Sequence, residues 1–250
     1  MPSNDADLPL SARPAAGYVY RTSWPVTTSD IDEHLHLRLD GVARYIQEVG
    51  AENLVDAGEA EAHPHWIVNR TVIDVIEPIE WPDDVTFHRW CSALSTRWCT
   101  MRVDLVGSRG GRIETEGFWI AMNKDTLTPS RVSDTLTEKF ASTTTEHRLK
   151  WRPWLQNPQH ADTATPFALR RTDIDLFQHV TNTAYWHAIH EVMAQQPDVC
   201  VAPYRAVVEY RRPIQFGEEV TIRSGRRGDE VQLALTVGDD VRAAALLRKL

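Results

Sequence analysis

The positions of apolar residues predict two amphipathic helices in this chain. Across segment 40–58 the apolar residues return every three or four positions, as they do on one face of a helix, and Gly58 ends the pattern. That face comprises Val42, Ile46, Val49 and Leu54. Segment 183–195 has the same spacing, and Asn182 is placed to cap its first turn. Its apolar face comprises Ala184, Ala188, Ile189 and Val192.

Strand patterns surround both predicted helices. A short strand precedes each helix, at 18–26 and at 166–171. After each helix come four segments rich in β-branched and aromatic residues, and turns that contain glycine separate several of them. The order of strand, helix and antiparallel meander occurs twice, which predicts an α+β fold.

The two halves of the chain resemble each other in sequence. The segment SDIDEHLHL at 29–37 matches TDIDLFQHV at 172–180. Further on, RTVIDVIEPIEWPDDVTF at 70–87 aligns without a gap to RAVVEYRRPIQFGEEVTI at 205–222. Two matches in the same order indicate a tandem duplication.

This duplication sets the expected domain boundaries. We expect a flexible N-terminal tail at 1–17, a first domain with its linker at 18–162, and a second domain at 163–250. One helix on one sheet makes a small core, so the two copies are expected to pack side by side.

Composition narrows the class of protein. The chain has 250 residues and a net charge of −8, which argues against a nucleic-acid partner. It contains no apolar run of about eighteen residues, so no membrane span is expected. Its three cysteines (Cys91, Cys99 and Cys200) lack metal-ligand spacing and suit a reducing cytoplasm. Cys200 has no neighbouring base in the sequence, which indicates an incidental thiol.

Four motifs, in order, carry a resemblance to a known family. They are WIVNRTVIDVIEPIEWPDDVTFHRW at 66–90, GFWIAMNKDTLTPSRV at 117–132, DIDLFQHVTNTAYW at 173–186 and EYRR at 209–212. Together they resemble the acyl-acyl carrier protein (acyl-ACP) thioesterases of plants and bacteria. That family implies a tandem double hotdog fold, in which an antiparallel sheet wraps a long helix in each copy.

The resemblance also implies an activity and a site. The implied reaction is hydrolysis of a medium- or long-chain fatty acyl thioester, on carrier protein in preference to coenzyme A, to the free fatty acid. The family's catalytic aspartate and histidine fall on Asp175 and His179. Both lie in the polar loop before the second helix, whose first amides can polarise a thioester carbonyl. Asp175 is placed to activate water, and an imidazole such as that of His179 can transfer a proton near neutral pH.

The chain departs from the family pattern at three positions. Phe177 stands where the family has an asparagine, and Pro213 and Ile214 stand where it has a Glu-Cys pair. Phe177 and Asn182 are therefore expected to bind substrate or support the site. Asp173 is expected to form a turn, as aspartates before helices often do.

The first copy offers a rival site. It retains Asp32 and His36, and His34 occupies the position of Phe177. A duplicated half also commonly serves as scaffold, so both interpretations stay open for these residues.

Other functions are compatible with parts of the sequence. The departures favour, as one alternative, an acyl-thioester-binding protein without turnover. The segment NPQHAD at 157–162 resembles a motif of hotdog enoyl-thioester hydratases, although its position indicates a linker. The histidine pairs at 34–36 and 63–65 lack a third ligand, so neither a metal nor a cofactor is expected.

The expected partners follow from this interpretation. They are a fatty acyl thioester and, through it, acyl carrier protein. Since one chain already contains two copies, a monomer is as compatible with the sequence as a homodimer.

Overall fold

A computed structural model describes residues 5–157 and 161–250. The first copy contains five strands and two helices, whose bounds are β1 Tyr20–Pro25, α1 Leu39–Asp56, β2 His65–Glu77, β3 Asp84–Leu94, β4 Trp98–Gly107, β5 Arg112–Met122 and α2 Asp134–Ala141. The second copy contains β6 Thr163–Phe167, α3 Asn182–Met193, β7 Tyr204–Tyr210, β8 Val220–Arg227, β9 Glu230–Val237 and β10 Asp240–Lys249.

All ten strands form one antiparallel sheet in the order β1-β3-β4-β5-β2-β7-β10-β9-β8-β6. The two copies thus have the same strand order, and β2 and β7 join them through pairs from Arg70↔Glu209 to Val75↔Tyr204. The predicted double hotdog fold is confirmed.

Helices α1 and α3 contact each other and share one core with the sheet. Along β2, Ile73 belongs to this core, whereas its neighbour Val72 belongs to a second cluster on the opposite face. This alternation follows from the two-residue period of a strand. The second cluster also contains Ala6 and Leu155, so the N-terminal segment and the linker both cover the outer face.

Buried charges fix these covering segments. Arg205 binds Asp74 at 2.6 and 2.7 Å, and it also donates to the carbonyl oxygens of Ala6 and Leu8, both at 2.7 Å. The segment 1–17 was predicted to be a flexible tail, whereas the structure holds these two of its residues against the sheet.

Several element boundaries differ from the predicted ones. Helix α3 begins at Asn182 itself, and its N-cap is Thr181, so the prediction that Asn182 caps the helix is wrong. Helix α2 was not predicted. It has only eight residues, and its two buried residues, Leu136 and Phe140, are too few to show a helical period. Strand β6, expected at 166–171, begins three residues earlier at Thr163 and ends four residues earlier at Phe167.

Candidate active site

The two Asp/His loops have the same backbone conformation. In the first, Asp32 Oδ1 accepts hydrogen bonds from the amides of His34 and His36, both at 2.8 Å. In the second, Asp175 Oδ1 accepts from the amides of Phe177 and His179 at 2.9 and 3.0 Å. Each aspartate therefore shapes its own loop with one oxygen. Asp175 Oδ2 accepts no hydrogen bond from the part of the chain that the structure describes, which leaves it available to a ligand.

The outer aspartates support these loops. Asp173 is 2% exposed and accepts from the amide and the guanidinium of Arg170, both at 2.8 Å. Its carbonyl oxygen accepts from the amide of Thr181, directly before α3. Asp30 is likewise 2% exposed and binds Thr27 and Arg44. These contacts agree with the turn-forming role expected of Asp173.

The first turns of both helices present free amides. In α3, the amides of Asn182 and Thr183 have no acceptor among the described residues. In α1, those of Asp40 and Gly41 are likewise without a described acceptor. Such amides at the positive end of a helix can bind a developing oxyanion. A side chain at Gly41 would place its Cβ 2.9 Å from Asp30 Cβ, so glycine lets the loop approach the helix closely.

The two loops differ in side-chain contacts. His36 lies between two carboxylates, with Nδ1 3.9 Å from Asp32 Oδ2 and Nε2 3.8 Å from Glu80 Oε1. Across the described chain, no matching ion pair joins Asp175 to His179. Phe177 instead packs edge-on against His65, at 5.3 Å between ring centroids. Phe177 of the second copy thus makes an aromatic contact, whereas His34, at the equivalent position of the first copy, is exposed.

A cavity of about 1240 Å³ lies beside the first loop. Its polar lining includes Asp32, His34 and His36 of the first loop and His187 and His190 of α3. Its apolar lining comes mainly from the second copy and includes Phe167, Val192, Met193, Tyr204 and Ile222. Among the described residues that line this cavity, neither Asp175 nor His179 is found.

A buried ionic cluster joins the two copies at this cavity. The carboxylate of Asp40 is 1% exposed and is held by the Arg38 guanidinium at 2.8 and 3.0 Å. Two α3 imidazoles reach it from the other copy, His187 Nε2 at 3.4 Å and His190 Nε2 at 3.5 Å. Burial alone would raise the pKa of Asp40, but hydrogen bonds from His187 and Arg38 outweigh burial and hold that pKa well below its ordinary value.

The two histidines of the cluster differ in their other contacts. His187 Nδ1 lies 2.8 Å from Arg170 Nη2, so both of its ring nitrogens have partners. His190 Nε2 accepts from the amide of Leu39 at 3.2 Å, the first residue of α1. Burial lowers the pKa of His190, although Asp40 acts in the opposite direction. This cluster was not predicted from the sequence. The i, i+3 spacing of the two histidines was its only signal.

The remaining candidates do not form a site. Cys200 lines the cavity, but burial raises its pKa to about 11, so it is a thiol and not a thiolate at neutral pH. Cys91 and Cys99 are buried and free. In the described ranges, no three His, Cys, Asp or Glu side chains are grouped as metal ligands. Of the segment 157–162, residues 158–160 lie outside the described residues.

No helix in the described chain has the length and hydropathy needed to cross a membrane.

Comparison with known proteins covers both halves of the chain. The family model of the acyl-ACP thioesterase N-terminal domain matches residues 17–140, and that of the C-terminal domain matches residues 156–243. The uncharacterized protein Rv2001 of Mycobacterium tuberculosis (strain ATCC 25618 / H37Rv) is 66% identical over 248 residues, with 99% of each chain covered. Oleoyl-acyl carrier protein thioesterase 1 of Arabidopsis thaliana, a chloroplastic protein, is 24% identical. That match covers 85% of this chain and 65% of the plant protein.

Solved structures share the fold along nearly the whole chain. An acyl-ACP thioesterase from Bacteroides thetaiotaomicron VPI-5482 has a TM-score of 0.75 at 12% identity, with 92% of this chain and 97% of that chain covered. The 12:0-ACP thioesterase from Umbellularia californica has a TM-score of 0.71 at 18% identity, with 93% and 97% covered. With both family models matched in order along one double hotdog, the chain belongs to the acyl-ACP thioesterase family and is a thiolester hydrolase.

Proposed function

We propose that this hydrolase acts on medium- or long-chain fatty acyl thioesters and prefers acyl carrier protein to coenzyme A as the carrier. The observation that carries the proposal is the second Asp/His loop at the start of α3, where Asp175 Oδ2 and the amides of Asn182 and Thr183 have no partner among the described residues. The cavity of about 1240 Å³ beside the first loop is lined by neither Asp175 nor His179, but its size and its mainly apolar lining from the second copy support an acyl-sized substrate. The Arabidopsis relative, named for oleoyl-acyl carrier protein, supports the choice of carrier.

In this proposal, Asp175 and His179 activate water in the second copy. Asp175 Oδ2 has no described partner and accepts a proton from water, whose oxygen then attacks the carbonyl carbon. The amides of Asn182 and Thr183 stabilise the resulting oxyanion. The C–S bond then breaks with its electron pair on sulfur, and His179, which is partly exposed, passes the proton that Asp175 accepted to the departing thiolate, so that one acyl thioester and one water become one fatty acid and one thiol. Phe177 leaves this copy without the asparagine of the family, so we assign it to site support, through its contact with His65.

Location and assembly belong to the same proposal. We place the enzyme in the cytoplasm, where its three free cysteines stay reduced. One chain supplies both copies of the fold, so we propose that a monomer is sufficient for activity, whether or not the chain also forms a homodimer.

Thiol-release kinetics would test the proposal. Acyl-ACP and acyl-CoA panels of increasing chain length are compared for the wild-type enzyme and for Asp175→Asn, with Asp229→Asn as a surface control. We expect a higher kcat/KM on long-chain acyl-ACP and a loss of about 100-fold or more in Asp175→Asn. Equal rates on both carriers would contradict the carrier assignment, and an unaffected Asp175→Asn enzyme would contradict the assigned base.

A further inference from the structure

We propose that Arg171 and Phe216, at the rim of the second Asp/His loop, form the docking surface for an acidic acyl carrier protein. This assignment rests on the proposed function, because it takes a carrier-bound acyl thioester as the substrate. It adds the face of the enzyme that the carrier meets. It also gives a physical reason for the carrier to deliver its thioester to the second loop and not to the first.

A backbone bridge fixes this surface beside the loop. His179 pairs with Gln215, the residue before Phe216, so Phe216 lies at the rim of the loop that contains Asp175. The guanidinium carbon of Arg171 lies 3.9 Å from the centre of the Phe216 ring. Such stacking holds a guanidinium over an aromatic face without removing its charge. A cation is therefore presented four residues before the assigned catalytic base.

Both side chains have the exposure that a docking surface requires. Phe216 is 41% exposed, although phenylalanine is among the residue types that are most often buried. Arg171 is exposed as well, and it forms no ion pair with a carboxylate of the described chain, whereas its neighbour Arg170 binds Asp173. Arginine and aromatic residues are enriched in protein interfaces and among the residues that supply most of their binding energy.

The equivalent rim of the first copy has the opposite charge. When the repeats are aligned, three rim positions differ in charge between the copies. They are Arg171 for Thr28, Arg212 for Glu77 and Gln215 for Glu80. The second rim thus has two cations where the first has two carboxylates. An acidic partner is attracted by the second rim and repelled by the first.

The carboxylates near this rim leave Arg171 as its principal cation. Arg212 lies 3.2 Å from Asp240, so part of its charge is already balanced. Arg242 binds Glu218 at 2.6 Å and Asp240 at 2.9 Å. Within the described ranges, Arg171 has no such partner. We therefore assign the main electrostatic contact with the carrier to Arg171.

The charge of the whole chain makes a local surface of this kind necessary. At a net charge of −8, the enzyme repels an acidic protein at long range. At physiological ionic strength this repulsion is screened beyond about 8 Å, so contacts at close range decide where the carrier docks. An unpaired arginine on an exposed ring, next to the catalytic loop, provides such a contact.

The test places one acyl group, dodecanoyl, on acyl carrier protein, on coenzyme A and on pantetheine. Arg171→Glu is compared with the wild-type enzyme. Arg97→Glu, at an exposed arginine between β3 and β4, is the matched control for the change in net charge. We expect Arg171→Glu to lower kcat/KM on the carrier protein by about tenfold, mainly through KM, and to change it on the other two carriers by less than about twofold. Arg97→Glu should remain within about twofold of wild type on all three.

Salt dependence supplies a second readout of the same contact. The wild-type kcat/KM on the carrier protein is expected to fall as NaCl is added, because screening weakens the attraction to Arg171. In Arg171→Glu this fall should be absent or reversed. Phe216→Ala, which removes the ring under the guanidinium but keeps the charge, should lower kcat/KM on the carrier protein by about threefold and preserve the salt dependence.

Binding of a dodecanoyl amide analogue of acyl-ACP, which cannot be hydrolysed by this route, separates this inference from the proposed function. Equal affinity of the wild-type enzyme and Arg171→Glu for the analogue overturns the docking surface, whatever the rates. A wild-type enzyme without preference for acyl-ACP, combined with weaker analogue binding by Arg171→Glu, contradicts only the proposed carrier preference.

The three carriers also distinguish other roles of Arg171. An equal loss on all three would show that Arg171 supports the loop itself. A loss on the carrier protein and coenzyme A, but not on pantetheine, would assign Arg171 to the phosphate that both of these carriers contain. Either result overturns docking of the carrier protein at this surface.

Discussion

His190 Nε2 lies 3.5 Å from Asp40 Oδ1, which connects the helix of the second copy to the first turn of the helix of the first copy. The two residues are 150 positions apart and belong to different repeats. Their contact places an acid, an imidazole and free helix amides together at the interface of the copies. The carboxylate of Asp40 also gives the interface between the copies a charge that depends on pH.

Replacing Asp40 by Asn is expected to destabilise the protein at neutral pH by about 3 kcal/mol, because Arg38 and two imidazoles lose a buried anion. The folded-state pKa of Asp40 is lowered, so its stabilisation is present above the ordinary value of 3.8 and is lost as the pH falls below it. Urea unfolding of the wild-type protein and of Asp40→Asn between pH 3 and 7 would test this. The difference between their free energies of unfolding should become smaller toward pH 3. A difference that is constant with pH would contradict this assignment.

Replacing Phe177 by Asn is expected to increase hydrolysis by the second copy several-fold, because it restores an amide that can orient water beside Asp175. Loss of the contact with His65 should cost about 1 kcal/mol of stability. Phe177→Ala is the matched control, since it removes the ring without adding an amide. If both variants raised the rate equally, relief of steric blocking and not the amide would be responsible.

Replacing Met193 by Trp is expected to shift the substrate preference toward shorter acyl chains. Met193 is half-buried at the end of α3 and lines the cavity, so a larger side chain takes space from the acyl group. We expect kcat/KM for the longest substrate to fall about tenfold, with short chains little affected. Leu176→Trp, at a position 75% exposed in the second loop, is the control. An equal loss for all chain lengths would argue against a role in chain selection.

Replacing Asp74 by Ala is expected to lower the free energy of unfolding by about 3–5 kcal/mol, because Arg205 would remain buried at 1% exposure without its anion. Arg131→Ala, in an exposed pair with Asp134, should change stability by less than about 1 kcal/mol. Thermal unfolding of both variants would measure the contrast. Similar losses in the two would show that the buried pair has no special role in holding the N-terminal segment.

Sequence alone predicted the features that depend on local pattern or on repetition. The loops around Asp32 and Asp175 follow from the internal repeat, and the two long helices follow from apolar spacing. The contact between Asp40 and His190 could not be predicted, because neither residue has a counterpart in the other copy and no local pattern relates them. The cap of α3 was misassigned by one residue, since Thr181 and Asn182 are both acceptable before a helix.

The pairing of β2 with β7 makes two hotdog units continuous within one polypeptide. In an assembly of two identical chains, one codon determines the same residue at both sites, and every substitution appears twice. Here each Asp/His loop is encoded separately, so His34 and Phe177 can occupy equivalent positions in one molecule. Covalent linkage of the copies therefore lets one loop change its side chains while the other keeps its own.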